Sequence, residues 1–497
     1  MKYSNLQLDV FDKVKNTIMN ICIMATAGSG KTTTLVEIAN IIPKFKKSIF
    51  LSFSKAIVEE LQKRIPMHTA ASTLHSLGCK MIFARYRGLK IDNDKWFKIL
   101  LYSYTEEERK EKRVFKMIYE MVDIINYARM TLTRFDIESL SAMCDHYSVT
   151  YTDEHLLKVI EEFSVERKLI KIDFTDMIYL PVKMNLIDTQ YDYVLLDEAQ
   201  DLNNAQRLFV EKILKPDGRL IAVGDEKQSI YSFSGSSIDS FSKIQQRPNT
   251  ITLPLSISYR CAKSVVRKAQ EIYSESIQYF EGSIEGEVRE GSVGEMREGD
   301  LVICRKTAPL ISVFFQLLKR NIKAQIIGKD IETGLLNLAE KVQAQDIDTV
   351  EDKLDHELKL VEDEMKKKGF SKPTLCPKYV TLEEKVEVIK VILYNLNNPM
   401  QLTRTIRDIF AEDRRSIKLM TIHRSKGLEA DRVFVIEKYN GEIQCPSSRA
   451  SQKWEKIQEQ NLLFVAYTRA KKQLLLVNLM EEKLIQKLDV QIFNAQN

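Results

Sequence analysis

MATAGSGKTTT, residues 24–34, decides the fold. Ahead of it, Asn20 to Ala25 (NICIMA) is a short apolar run, the composition of a parallel strand buried on both faces. Behind it, KTTTLVEIANII places apolar residues at 35, 38, 39 and 42, which is a helical spacing. Strand, glycine turn and helix make the setting in which a phosphate loop works. There the backbone N–H groups of Ala27, Gly28, Ser29, Gly30, Lys31 and Thr32 wrap phosphate oxygens at a helix N-terminus, with Thr33 beside them. Lys31 reaches the β- and γ-phosphates, and the Thr32 hydroxyl holds Mg²⁺. Gly28 and Gly30 stand where the backbone closes on phosphate. Ala25 occupies the strand end, where the general pattern has glycine.

The rest of the composition bounds the answer. A chain of 497 residues calls for several domains. Its 44% hydrophobic and 29% charged content is that of a globular protein rather than a disordered one. A net charge of +5, from 74 basic and 69 acidic residues, is compatible with nucleic acid without arguing for it. The seven cysteines are scattered and form no CxxC pair, which argues against a disulfide framework or zinc cluster and for a reducing interior. No apolar run is long enough to span a bilayer, and the polar start MKYSNLQLD does not read as a signal peptide. A soluble, cytoplasmic protein without membrane contact is expected.

A nucleotide-hydrolysing site needs a second, acidic strand end. YDYVLLDEAQD (191–201) supplies one: Asp197 for Mg²⁺ through water, and Glu198 to orient or deprotonate the attacking water. RLIAVGDEKQSIY (219–231) is a further strand, ending in Gly224-Asp225, with Gln228 placed to sense the γ-phosphate. Several strands ending in polar residues after a phosphate loop predict a parallel sheet with its site at the carboxyl ends.

Taken together these stretches resemble the UvrD/Rep-type superfamily 1 helicases, whose phosphate loop reads A-x-A-G-S-G-K-T, so that Ala25 is ordinary there. Further matches run in order along the chain. Gln7 in SNLQLDVF resembles the amide that reads adenine. FLSFSKAIVEEL (50–61) and STLHSLG (72–78) resemble the first two DNA-contacting motifs, and IDFTDMI (172–178) the short motif ahead of DEAQD. LSISYRCAKSVV (255–266) resembles the motif carrying an adenine-stacking Tyr259 and an arginine finger, Arg260. TIHRSKGLEADRVFV (421–435) and NLLFVAYTRAKKQL (461–474) match the last two motifs, the second bringing Arg469 as another finger.

The resemblance implies ATP and Mg²⁺ as cofactors and single-stranded DNA, with its junctions to duplex, as partner. It places Glu429 near the ribose, with Gly427 allowing close backbone approach. Phe53, His75, Tyr231, Phe233 and His423 become base-contacting candidates, since flat side chains at strand ends stack on unpaired bases. Thr73, Ser76, Thr421, Ser425 and Lys426 become phosphate contacts without sequence information. One departure stands out: the Gln motif continues YSFSGS, so Phe233 replaces a frequent Trp and Ser234 a frequent Arg.

The expected fold is α/β, with two RecA-like parallel-sheet P-loop core domains, each carrying a largely helical insertion. The first core takes residues 1–85 and 171–249, around an insertion at 86–170. The second takes 250–333 and 414–497, around a short insertion at 334–413. The charge run EEERKEKR (106–113) reads as a solvated helix face, and Thr381-Leu-Glu-Glu384 as a capping box opening a helix with apolar positions 382, 386, 389, 393 and 396. Only about 28 residues follow Arg469, short of a nuclease domain. The expected activity is an ATP-dependent single-stranded DNA translocase and helicase, with 3′→5′ polarity implied by the resemblance alone, working as a monomer or transient dimer. Two readings stay open beside it: a motor subunit needing a separate nuclease or loader, in a helicase–nuclease or defence complex, and a nucleotide-switched binding module with residual ATPase.

Overall fold

The computed structural model describes residues 3–480, apart from 166–168, 232–234, 236–238, 368–372, 397, 413–415 and 451. The chain divides into two compact units, Met1–Ser256 and Ile257–Asn497.

The first unit is built on six parallel strands: β1 (Asn20–Ala25), β2 (Ser48–Ser52), β3 (Thr69–Thr73), β4 (Tyr191–Leu196), β5 (Leu214–Gly224) and β6 (Thr250–Leu255). Their order is β3-β2-β4-β5-β1-β6. Side chains alternate between two separate cores. Ile21, Ile23, Phe50, Leu195, Ile221 and Val223 pack on one face with Val10 of helix α1 (Asn5–Asn16) and Leu35 and Ile38 of α2 (Lys31–Ile41). Cys22, Ile49, Leu51, Val194, Leu196 and Ala222 pack on the other. Burial on both faces is why these strands read as apolar runs rather than as alternating patterns. Strand β6 pairs with β1 from Asn20↔Thr250 to Ala25↔Leu255, so the division between units falls after Ser256 and not after 249.

Between β3 and β4 lie α3 (Leu74–Arg85) and then an insertion of α4 (Lys95–Tyr102), α5 (Lys112–Thr131), α6 (Ile137–Tyr147) and α7 (Asp153–Ser164). The insertion has a core of its own, including Trp96, Ile118, Ile125, Leu140, Cys144 and Leu156. The run 106–113 is not one helix face. Thr105 and Glu108 bond reciprocally, a 3-10 turn covers Glu108–Lys110, and α5 begins only at Lys112. The chain then returns through α8 (Asp176–Lys183), β4 and α9 (Asn204–Ile213).

The second unit carries a parallel sheet of β7 (Glu287–Gly291), β8 (Leu301–Cys304), β9 (Ala324–Ile326), β10 (Ile417–Thr421), β11 (Ala430–Tyr439) and β12 (Ala470–Leu479). The order is β7-β12-β11-β8-β10-β9, with the two-residue strand Glu442–Ile443 antiparallel on β11. Its insertion consists of α10 (Lys329–Lys341), α11 (Ile347–Lys367), α12 (Pro377–Tyr394) and α13 (Leu402–Phe410). Here Leu335, Leu354, Ile389 and Ile406 share one core with Val302, Leu419 and Phe434 of the sheet. The expected box at Thr381 lies inside α12, which starts at Pro377 after Cys376. Proline is at home in a first turn, where its missing N–H is no loss. The fold is thus two RecA-like α/β cores, each with a helical insertion.

Candidate nucleotide site and nucleic-acid cleft

The turn after β1 is held by the Ser29 hydroxyl, which donates to the Thr26 carbonyl at 2.8 Å. Gly28 and Gly30 have φ of 74° and 82°, in the left-handed region that glycine enters without strain. Gly30 caps α2 with no side-chain hydrogen bond, so the first N–H groups of the helix keep their capacity for an anion. Ala25 lies within β1, buried in the apolar core, which explains why a methyl group suits the position. The Lys31 ammonium lies 3.4 Å from the Ala25 carbonyl. Gln7 is buried against the loop: its amide donates to Thr34 at 3.0 Å and accepts from the Ser4 N–H at 3.1 Å.

Thr32 donates its hydroxyl to Asp197 Oδ2 at 3.0 Å, and Asp197 Oδ1 accepts the Glu198 N–H at 2.9 Å. Burial, reinforced by the neighbouring Glu198 carboxylate, raises the Asp197 carboxyl above the usual range, against the pull of Lys31 and Thr32. A hydroxyl and a buried carboxylate at the mouth of an uncapped glycine turn suit a hard, oxygen-preferring cation such as Mg²⁺ beside phosphate. Glu198 adopts φ 51°, rare outside glycine, and its carboxylate accepts from Gln200 at 2.6 Å. The other end of the Gln200 amide accepts the Asp225 N–H at 2.9 Å, and Asp225 accepts from Gln228 at 2.6 Å. Gln200 therefore ties the ends of β4 and β5 together. Gly224 is glycine for the same reason: a Cβ there would lie 2.7 Å from both the Gln200 oxygen and the Phe241 ring.

Three of the expected base-contacting residues converge. Phe53, His75 and Tyr231 line one cleft of about 310 Å³ with Met130, Phe174, Asp201 and Gln206 among its walls. The His75 ring stacks on Phe174, centroids 3.8 Å apart and 17° from parallel. Burial lowers its pKa to about 4, so it is an uncharged ring at neutral pH. Thr73 caps α3 by accepting the Ser76 N–H at 3.1 Å, which leaves the exposed Ser76 hydroxyl as the outward group. Phe233 and Ser234 lie outside the described residues.

In the second unit, Arg260 pairs with Glu429 at 2.5 Å, and Lys471 pairs with the other Glu429 oxygen at 2.8 Å. Tyr259 is 40% exposed, with its ring 5.2 Å from Phe280. Arg469 is only 1% exposed and donates to the carbonyls of Val465 at 2.9 Å and Leu428 at 3.2 Å. Arg260 reaches the Thr468 carbonyl at 3.5 Å, so both arginines and Glu429 gather at the start of β12. Gly427 has φ 86°, in the left-handed region that glycine enters without strain. Thr421 and Lys426 flank a single helical turn, Ile422–Ser425. Burial lowers the His423 pKa to about 3. Ser425, expected to contact phosphate, is fully buried and donates its hydroxyl to the Ile422 carbonyl at 2.7 Å, closing the turn.

Gln200, Asp225 and Phe174 were not among the sequence candidates. Gln200 stands inside DEAQD and Phe174 inside IDFTDMI, so each lay within a motif already quoted.

A glycine turn leading into a helix, an acidic neighbouring strand end and two RecA-like cores are the architecture of the P-loop nucleotide-binding class. The UvrD/REP helicase N-terminal domain model matches residues 9–249, and the UvrD-like helicase C-terminal domain model residues 416–477. The chain belongs to the UvrD/Rep family of superfamily 1 helicases. It is 24% identical over 289 residues to the ATP-dependent DNA helicase Rep of Buchnera aphidicola, covering 52% of this chain and 42% of that one. F-box DNA helicase 1 of Gallus gallus is 25% identical over 512 residues, covering 93% of this chain and 48% of its own length. For the ATP-dependent DNA helicase PcrA of Bacillus subtilis the figures are 24% over 375 residues, 64% and 49%. The chain spans about half the length of these relatives. Among the described residues no helix is long and apolar enough to cross a membrane.

Proposed function

We propose that the protein hydrolyses ATP to move along single-stranded DNA and separates duplex at the junctions it meets, in the 3′→5′ direction. One observation carries the coupling: the segment Asp197–Asp201 serves both sites. Asp197 bonds Thr32 of the phosphate loop, while Asp201 lines the aromatic cleft. A shift of the β4 end on loss of the γ-phosphate therefore reaches the cleft within four residues. Gln228 and Tyr231 repeat the arrangement at the end of β5.

In this reading Lys31 and the loop amides bind the phosphates, and Gln7 meets adenine. Thr32 and Asp197 hold Mg²⁺, which supplies charge neutralisation on the phosphate oxygens. Glu198, steadied by Gln200, takes the proton of the attacking water. Arg260 and Arg469 neutralise charge developing on the transferred phosphoryl group. Phe53, His75, Phe174 and Tyr231 stack on bases, a contact tolerant of sequence because every base has a π-face.

ATPase rate with single- and double-stranded DNA and RNA tests the reading. Stimulation by single-stranded DNA is expected; no stimulation by any nucleic acid would leave only a nucleotide-switched module. Strand displacement from 3′- and 5′-tailed duplexes then reads polarity. Stimulated turnover without displacement would identify a translocase that needs a nuclease or loader partner.

A further inference from the structure

We infer that Arg129, on the first insertion, is a positioning residue that sets the Phe174–His75 stack, an inference resting on the reading of the cleft as a nucleic-acid track. The Arg129 side chain is fully buried. It donates to the two oxygens of Asp173 at 2.9 and 2.8 Å, to Asp176 at 2.7 Å and to Asn126 at 2.6 Å. Lys95, on α4, is a second cation on Asp176. The two aspartates also hold each other: the Asp173 N–H donates to Asp176 Oδ2 at 3.1 Å, and the Asp176 N–H to Asp173 Oδ1 at 2.8 Å. Residues 173–176 are thus a closed turn, clamped at both ends by cations from the insertion.

Phe174 is the side chain that leaves this turn. It is 55% exposed, and its ring lies on His75. A buried ion cluster adds little net stability over an apolar filling of equal volume. What the forked guanidinium adds is direction, because two parallel hydrogen bonds to one carboxylate admit a single orientation. The same helix end reaches the cleft itself: Met130 lines it, and the Thr131 carbonyl accepts from Asn204 of α9 at 3.2 Å. The insertion therefore fixes one wall of the cleft, and Arg129 acts on that wall without facing it.

The test is a double-mutant cycle on the full chain, read as affinity for a fluorescent oligothymidylate. Phe174→Ala is expected to weaken binding roughly tenfold, the scale of one stacked base. Arg129→Gln is expected to weaken binding by a similar factor alone, but by less than about twofold when Phe174 is already alanine. A purely structural arginine would cost the same in both backgrounds. Should Arg129→Gln fail to fold in a thermal melt, Arg129→Lys carries the cycle, since it keeps a charge against the aspartates and loses only the fork. Equal losses in the two backgrounds, or unchanged affinity in a folded Arg129 variant while Phe174→Ala weakens it, overturn the positioning role. Unchanged affinity in Phe174→Ala overturns the cleft reading instead.

Discussion

Thr32 and Asp197, 165 residues apart in the chain, share one hydrogen bond of 3.0 Å. It joins the phosphate loop to the acidic strand end and puts Lys31 on the same side of both. Lys31→Ala should lower ATP hydrolysis by at least roughly 10²–10³-fold, the scale of losing one fixed charge partner in a transition state. Oligonucleotide binding without nucleotide should persist. Wild-type turnover in this variant would remove the loop from the reaction.

Glu198→Gln should retain ATP affinity, because Thr32 and Asp197 are untouched, and lose turnover by about 10²–10⁴-fold. Gln200→Ala should produce a smaller loss of the same kind, since Gln200 acts through its 2.6 Å hydrogen bond to the Glu198 carboxylate. Nucleotide titration and single-turnover hydrolysis on each variant separate the two quantities. Lost nucleotide affinity in Glu198→Gln would take that residue out of the base role.

Phe53→Ala and Tyr231→Ala should each weaken single-strand binding by about 1–3 kcal/mol. His75 adds a pH signature. Its pKa is lowered to about 4, so the ring stays neutral from pH 8 down to roughly pH 5 and takes up no proton there. Affinity of the wild type and of His75→Phe should then show the same pH profile over that range. A steep gain on acidification that His75→Phe abolishes would mean a charged imidazole on phosphate.

Arg469→Ala should lower DNA-stimulated turnover by about 10³–10⁵-fold while ATP still binds, as loss of an arginine finger does. The surroundings sharpen the comparison, because Arg469 is buried against the carbonyls of Val465 and Leu428. A purely structural arginine would show itself chiefly as a lower melting temperature. Melting and turnover on one preparation decide: a large drop in Tm with near-normal turnover per folded molecule would sink the finger role.

Legibility followed the range of the interactions. Residues 20–25 and 31–41 form the strand and helix that their apolar spacing predicts, because burial there repeats with the local period. Residues 250–255 read as part of the second core but form β6 of the first sheet, because the pairing with β1 spans 230 residues and leaves no local trace. The Thr381 box failed because Pro377 had already opened the helix. In the site, the loop residues and Asp197 and Glu198 of DEAQD could be named from the sequence. Gln200, Asp225 and Phe174 could not, because their roles arise only when strand ends far apart in sequence meet.

The two insertions differ in how their apolar side chains close, and hydrogen exchange should register it. Leu335, Leu354, Ile389 and Ile406 share a core with the second sheet, so opening α10–α13 strips that sheet of one covering layer. Their slowest amides should therefore exchange together with those of β8 and β10, as one cooperative unit. The core of the first insertion, from Trp96 to Val159, closes on itself. Helices α6 and α7 carry none of the Arg129 and Thr131 ties that hold α5 to the first core, so their amides should exchange faster than those of β1, β2 and β4 by a separate, lower-energy opening.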